Sequence, residues 1–237
     1  KPEAAKDTAR SGRRRNFMAV GFGMSLATGR FGQTSSRPEG DGFAQSGFAA
    51  RLEYAGFWNR NAGFGFAVGS FANRLDEQRM SAFFPPILTN QNINPDRVEQ
   101  SFSNVRPWRS YYLFVGPYLS VPLKSVFFDF KCLGGFLLNR HPGFDYTQRV
   151  IPENNSNRFT ILPSVSASFG FNAGVNVRLK MSEGTQLLVG LEYIYSQSEP
   201  RYELNDRQGN PIDAGRQKVS VFNLSWGLAW NVGKRKA

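Results

Sequence analysis

The sequence is short of the residues that build most metal and redox centres. Its one cysteine, Cys132, has no partner for an internal disulfide, and a single thiol cannot supply a zinc or iron–sulfur cage. Its one histidine, His141, leaves no pair of imidazoles to ligate a metal. No phosphate-binding loop or metal-ligand spacing occurs, so no cofactor is expected. Long apolar runs are missing too. No window holds the ~18 consecutive apolar residues that mark a membrane-spanning helix, and mean hydropathy is −0.39. That excludes helical spans only, because a spanning strand needs ~9–11 residues of which alternate ones are apolar.

What the chain does have is phenylalanine, glycine and alternation. There are 22 Phe and 24 Gly in 237 residues. Aromatics favour strands, and Gly favours turns and close strand approach. From Val165 to Leu179 the odd positions read Val, Ala, Phe, Phe, Ala, Val, Val, Leu, while the even positions from Ser164 to Arg178 are small or polar. Period two over that length is a strand. Phe222, Leu224, Trp226, Leu228, Trp230 and Val232 repeat it, as do Leu187 to Tyr195 and Met18 to Leu26. Weaker versions occur at Phe48–Tyr54, Phe64–Val68, Tyr111–Leu119 and Val126–Cys132. The reading is all-β with about eight strands, closed as an antiparallel up-and-down barrel over residues 16–233.

The connections alternate in length. Short turns are expected at 58–61, 122–125 and 181–184, and long loops at 29–42, 73–106, 139–158 and 197–217. All long loops then leave one end of the barrel, with the short turns and both ends of the chain at the other.

A soluble barrel with a ligand cavity would show the same alternation with its large residues inward. Volume decides between the two. An eight-stranded interior is just filled by side chains, and Phe, Trp, Leu and Tyr from nearly every strand would overfill it. The opposite face is Gly, Ala and Ser with six long charged residues: Arg51, Lys131 and Arg178 against Glu53, Asp129 and Glu192. Balanced signs on a small-residue face predict charges that cross the lumen and pair. The large face therefore meets lipid. Trp58 and Trp230 near the short turns, and Trp108, Tyr193 and Tyr195 near the long loops, fit two interfacial girdles.

On these hairpins and this loop asymmetry the chain resembles the small eight-stranded outer-membrane barrels of the OmpA/OmpX type and similar barrels of Bacteroidota. The resemblance spans about Asn16 to Val232 and includes a terminal strand, Trp226 to Val232, like the one such barrels close with. It implies a bacterial outer-membrane location after removal of a signal peptide.

Basic residues outnumber acidic ones, 29 to 18. Residues 1–15, with Arg13, Arg14 and Arg15, read as a flexible basic periplasmic leader, and 234–237, with Lys234, Arg235 and Lys236, as a basic tail. With Arg60 in a short turn they form a periplasmic basic rim suited to anionic lipid or an acidic protein, not to nucleic acid.

Three functional expectations follow. The first is a non-enzymatic scaffold or accessory subunit of a larger outer-membrane assembly. Its partners are outer-membrane lipid and lipopolysaccharide and another outer-membrane or periplasmic protein. Phe83, Phe84, Pro85, Pro86, Ile87 and Leu88 make an unusually apolar loop segment and the candidate contact. The second is a narrow solute channel. The third is a rim enzyme acting on lipid or lipopolysaccharide. It would depend on His141, which lacks a Ser two residues on, although Ser110 or Ser164 could approach it.

Overall fold

The computed structural model describes residues 16–32, 42–83, 98–151, 155–198, 201–203, 211–213 and 217–232. In chain order the first half holds β1 (Phe17–Ala27), α1 (Gly29–Gly32), β2 (Ala44–Phe57), β3 (Ala62–Leu75), α2 (Glu77–Phe83), β4 (Val98–Ser103) and β5 (Trp108–Leu123). The second half holds β6 (Val126–Arg140), β7 (Phe144–Val150), β8 (Asn155–Ile161), β9 (Val165–Lys180), β10 (Thr185–Ser198), β11 (Arg201–Glu203), β12 (Pro211–Asp213) and β13 (Gln217–Asn231).

Eight of these strands close an antiparallel barrel in the order β1-β13-β10-β9-β6-β5-β3-β2. Closure joins the first strand to the last, from Phe17 opposite Asn231 to Ala27 opposite Val221. Beyond it, Val232 N–H donates to the Asn16 carbonyl, and the Asn16 side chain accepts from Phe57 N–H. Register steps along the strands as it passes round: Phe22 faces Trp226, Trp226 faces Val189, Val189 faces Val177 and Val177 faces Phe128. That stagger accompanies the strand tilt a closed barrel needs.

Period two sets the two faces. Met18, Phe22, Phe130, Phe136, Phe169, Leu191 and Trp226 are exposed on the outer face. No unpaired edge remains in the barrel, so each strand satisfies its backbone against two neighbours. Hydrocarbon demands this of any spanning sheet. An apolar outer band on a closed barrel is the structure of a transmembrane barrel.

The short connections are short as expected, though tighter at one place. Pro122 and Leu123 belong to β5, and the turn is Lys124-Ser125, with Lys124 in the left-handed region at φ 53°. The long connections are less loop-like than expected. Segment 73–106 contributes the end of β3, then α2 and β4; 139–158 holds β7 and much of β8; 197–217 holds β11 and β12. β4, β7 and β8 form a separate three-stranded sheet at the long-loop end. These strands are short, and β4 alternates half-buried and exposed positions, so they lack the long apolar stripe that marks the barrel strands.

Candidate functional site

The inner faces of β2, β6, β9 and β10 bring four of the six lumen charges into one cluster. Arg51 donates to Glu192, and Lys131 donates to the same Glu192 oxygen. Lys131 Nζ also reaches Glu53 Oε2 at 2.7 Å, and Arg51 Nε lies 3.6 Å from it. Asn176 ties the cluster together: its amide donates to Glu53 at 2.6 Å, and its oxygen accepts from Arg51 at 2.8 Å. All four ionic side chains are buried. Two cations face two anions, the neutrality a buried cluster requires.

Arg178 and Asp129 form a second, fork-to-fork pair at 2.5 and 2.9 Å, with Gln186 accepting from Arg178 Nη1 at 2.8 Å. The Arg178 guanidinium lies 3.9 Å from the Phe17 ring centroid and 5.0 Å from that of Phe127. This pair sits nearer the short turns, because Arg178, Asp129 and Phe17 lie near the strand ends there.

Glycines make room for the cluster. A Cβ at Gly21 or Gly174 would fall 3.2 Å from Arg51 or Lys131, and one at Gly190 would fall 2.2 Å from Arg51. Of the two glycine-rich strands β1 and β3, only β1 gives space to the cluster. The β3 glycines Gly65 and Gly69 accommodate Tyr118 and Tyr112 instead. Those tyrosines and Phe114 are buried inside the barrel, an aromatic inner face of β5 that the sequence reading missed. A gap lined by Gly21, Ala49, Tyr112, Asn223 and Ser225 beside Arg51 is too narrow for a water molecule.

Toward the long loops the lumen is closed by polar and then aromatic layers. Ser110, Asn139, Ser168 and Ser196 form one hydrogen-bonded chain across four strands. Ser25 and Asn73 make a second contact at 3.2 Å. Above them Trp108 is 2 % exposed. Its indole N–H donates to the Gly42 carbonyl at 2.8 Å, and its ring meets Phe31 and His141 edge-on at 5.2 and 5.0 Å. The girdle assignment of Trp108 is therefore corrected: its height is right, but its even position on β5 points inward. Tyr193 and Tyr195 do lie on the outer face of β10, packed against Phe222 and Phe171 respectively. Trp58 is exposed in a short turn and Trp230 lies at the short-turn end of β13.

His141 follows β6 and is fully buried. Its Nε2 lies 2.7 Å from Ser166 Oγ, and its amide donates to the Ser164 carbonyl. The serine beside the ring is thus neither Ser110 nor Ser164. Burial pushes the imidazole down to about 4, so it is neutral near pH 7. The buried neutral ring packs against Trp108 at the barrel mouth.

In the outer sheet, Asp145 accepts from Asn104, Arg158 and Thr160, each at 2.6 Å, and these donors hold its carboxyl down at about 2. Phe83 ends α2. Phe84, Pro85, Pro86, Ile87 and Leu88 lie outside the described residues, as do Arg13, Arg14, Arg15, Lys234, Arg235 and Lys236. Arg60 is exposed in the β2–β3 turn. Among the described residues no group of His, Cys, Asp and Glu is placed to hold a metal.

No protein-family model and no curated protein matches the sequence. Solved structures resemble the chain over most of its length, at low scores. A major outer membrane protein from Thermus thermophilus is 14% identical, with a TM-score of 0.48, covering 92% of this chain and 98% of its own. Neisserial surface protein A is 12% identical at 0.42, covering 92% and 97%. The Yersinia pestis attachment invasion locus protein is 12% identical at 0.39, covering 90% and 97%. With its closed wall, apolar outer band and ion-filled lumen, this chain is an eight-stranded β-barrel of the bacterial outer membrane.

Proposed function

We propose that the protein is a non-enzymatic outer-membrane scaffold or accessory subunit, working through its two rims and its outer wall. One observation carries this reading: the lumen is crossed from wall to wall by the Arg51–Glu192–Lys131–Glu53 cluster. A solute path would have to part these contacts and strand buried charges. The neutral, buried His141 gives little support to acid–base chemistry at the mouth. Elements that stand free of the barrel wall, such as the β4-β7-β8 sheet, offer surface for contact. The partners in this reading are outer-membrane lipid, lipopolysaccharide and a further outer-membrane or periplasmic protein, with Phe83 to Leu88 as the first segment to test.

The experiment is extraction from the native membrane in mild detergent, followed by identification of what co-purifies. A stoichiometric protein lost on deleting residues 83–88 is the expected result. Barrel recovered alone, together with steady conductance of the purified protein in planar bilayers, would overturn the scaffold reading in favour of a channel.

A further inference from the structure

Every carboxylate on the eight barrel strands is one of the lumen groups, Glu53, Asp129 and Glu192, all buried. The outer faces of these strands therefore carry no negative charge. They do carry cations, and the long-loop ends of β3, β5 and β6 gather them. Arg109 and Arg140 are directly opposite each other in register. Arg74 lies diagonally beside Arg109, because Ala72 is the Arg109 partner. Arg106 is exposed at the same corner, its amide held by the Gly143 carbonyl just beyond Arg140. Like charges facing across two strands are unfavourable unless something neutralises them. Among the described residues, none of these four arginines has an ion-pair partner.

The rows beneath continue the pattern. One step toward the short turns, Tyr111 faces Leu138; one further, Leu113 faces Phe136. Leu138 and Phe136 in turn face Ala167 and Phe169 on β9. Tyr111, Leu138, Leu113, Phe136 and Phe169 are all exposed on the outer wall. Descending the wall, the order is cation, tyrosine beside leucine, then hydrocarbon. A lipid presents the matching order: anionic headgroup, interface, acyl chain. Among the described residues the opposite side of the barrel shows no such facing pair: Lys218 on β13 faces the neutral Gln197 on β10.

We infer that Arg74, Arg109 and Arg140 form a binding site for the phosphate headgroup of an outer-leaflet lipid, whose acyl chains lie on Leu113, Phe136 and Leu138 below. Planar guanidiniums suit phosphate because each can donate two parallel hydrogen bonds. The arginines are the outward end of the barrel wall, so the lipid would be held against β5 and β6 and not in the lumen.

The test uses the full chain refolded in neutral detergent and titrated with diphosphoryl lipid A, with dephosphorylated lipid A and inorganic phosphate as comparison probes. The expected result is binding of the phosphorylated lipid that weakens as salt is raised. Arg109→Gln/Arg140→Gln should weaken it about 30-fold, roughly fivefold for each interfacial arginine. Arg60→Gln/Lys124→Gln, at the other rim, should leave it unchanged. Arg140→Gln alone removes the facing like charge, so it should fold at least as well as the unaltered chain while binding about fivefold more weakly. Equal binding by the dephosphorylated lipid, or unchanged binding by the two Arg140 variants, would overturn the site and leave the arginines to an acidic protein. Displacement by millimolar inorganic phosphate would overturn the lipid assignment in favour of free phosphate.

Discussion

Arg51 crosses the lumen against the bare backbone of Gly190. A Cβ on Gly190 would stand 2.2 Å from Arg51 Nη2 and 2.5 Å from Asn176 Oδ1. Arg51 has little freedom to retreat, because Nη1 is engaged by Glu192 and Nη2 by Asn176. Gly190→Ala should therefore destabilise the barrel by about 1–3 kcal/mol, the usual range for overpacking. Urea unfolding in detergent micelles, followed by gel mobility, measures it. An unchanged midpoint would mean that the Arg51 head is not fixed where it lies.

The ionic cluster yields a sharper test through its neutrality. Lys131→Met leaves Arg51 as the one cation of the cluster beside Glu53 and Glu192. Breaking one member of a buried ionic set costs about 3–5 kcal/mol. Adding Glu53→Gln restores one cation to one anion, so the double variant should recover much of that loss. The same unfolding assay checks both. If the double variant is the less stable of the two, Glu53 owes its place to something other than Lys131.

The fold was legible because β9 and β13 keep strict period two for their whole length, and because long and short connections alternate. The six lumen charges were legible for a related reason: long charged residues stand out on a face of Gly, Ala and Ser. Their pairing was not legible. Arg51 is on β2 and Glu192 on β10, strands that are not neighbours in the wall, and only closure and stagger bring them together. β5 misled the reading in another way. Tyr112, Phe114 and Tyr118 alternate with Tyr111, Leu113 and Leu119, so both faces of that strand are apolar and the contrast between inside and outside is lost. Trp108 was misplaced on the same strand for the same reason. Asn176 and Gln186 were passed over as generic small-face polar residues, although each completes the hydrogen bonding of an arginine.

Arg178 tests shape more than charge. It holds Asp129 with two nitrogens, Gln186 with a third, and lies over Phe17. Lysine keeps the charge but loses the fork and the flat face. Arg178→Lys should lose about 2 kcal/mol, the scale of a hydrogen bond to a charged group. A companion Phe17→Leu should cost less in the Arg178→Lys background than in the unaltered chain, because the flat contact of the guanidinium with the ring is already gone. Equal costs in both backgrounds would count against the contact with Phe17.

The mouth of the barrel should respond to acid in two separate steps. Burial lowers the His141 imidazole from 6.5 to about 4, so between those values the unfolded chain binds a proton that the folded chain does not. Stability is then complete above about pH 6.5 and declines as pH falls toward 4, by about 3 kcal/mol at most. Asp145 acts lower down. Its carboxyl is held at about 2 instead of 3.8 by Thr160, Asn104 and Arg158, so its contribution is present above pH 3.8 and fades below it. Hydrogen exchange at the Trp108 indole N–H and the His141 amide reports on the first step, since both donors are bonded at the mouth. Protection there, taken relative to the intrinsic exchange rate at each pH, should fall from pH 6.5 to 4, and His141→Phe should flatten that dependence while Asp145→Asn leaves it intact. A flat profile in the unaltered chain would show that His141 is already open to solvent, and would return the His141–Ser166 contact to consideration as a reactive pair.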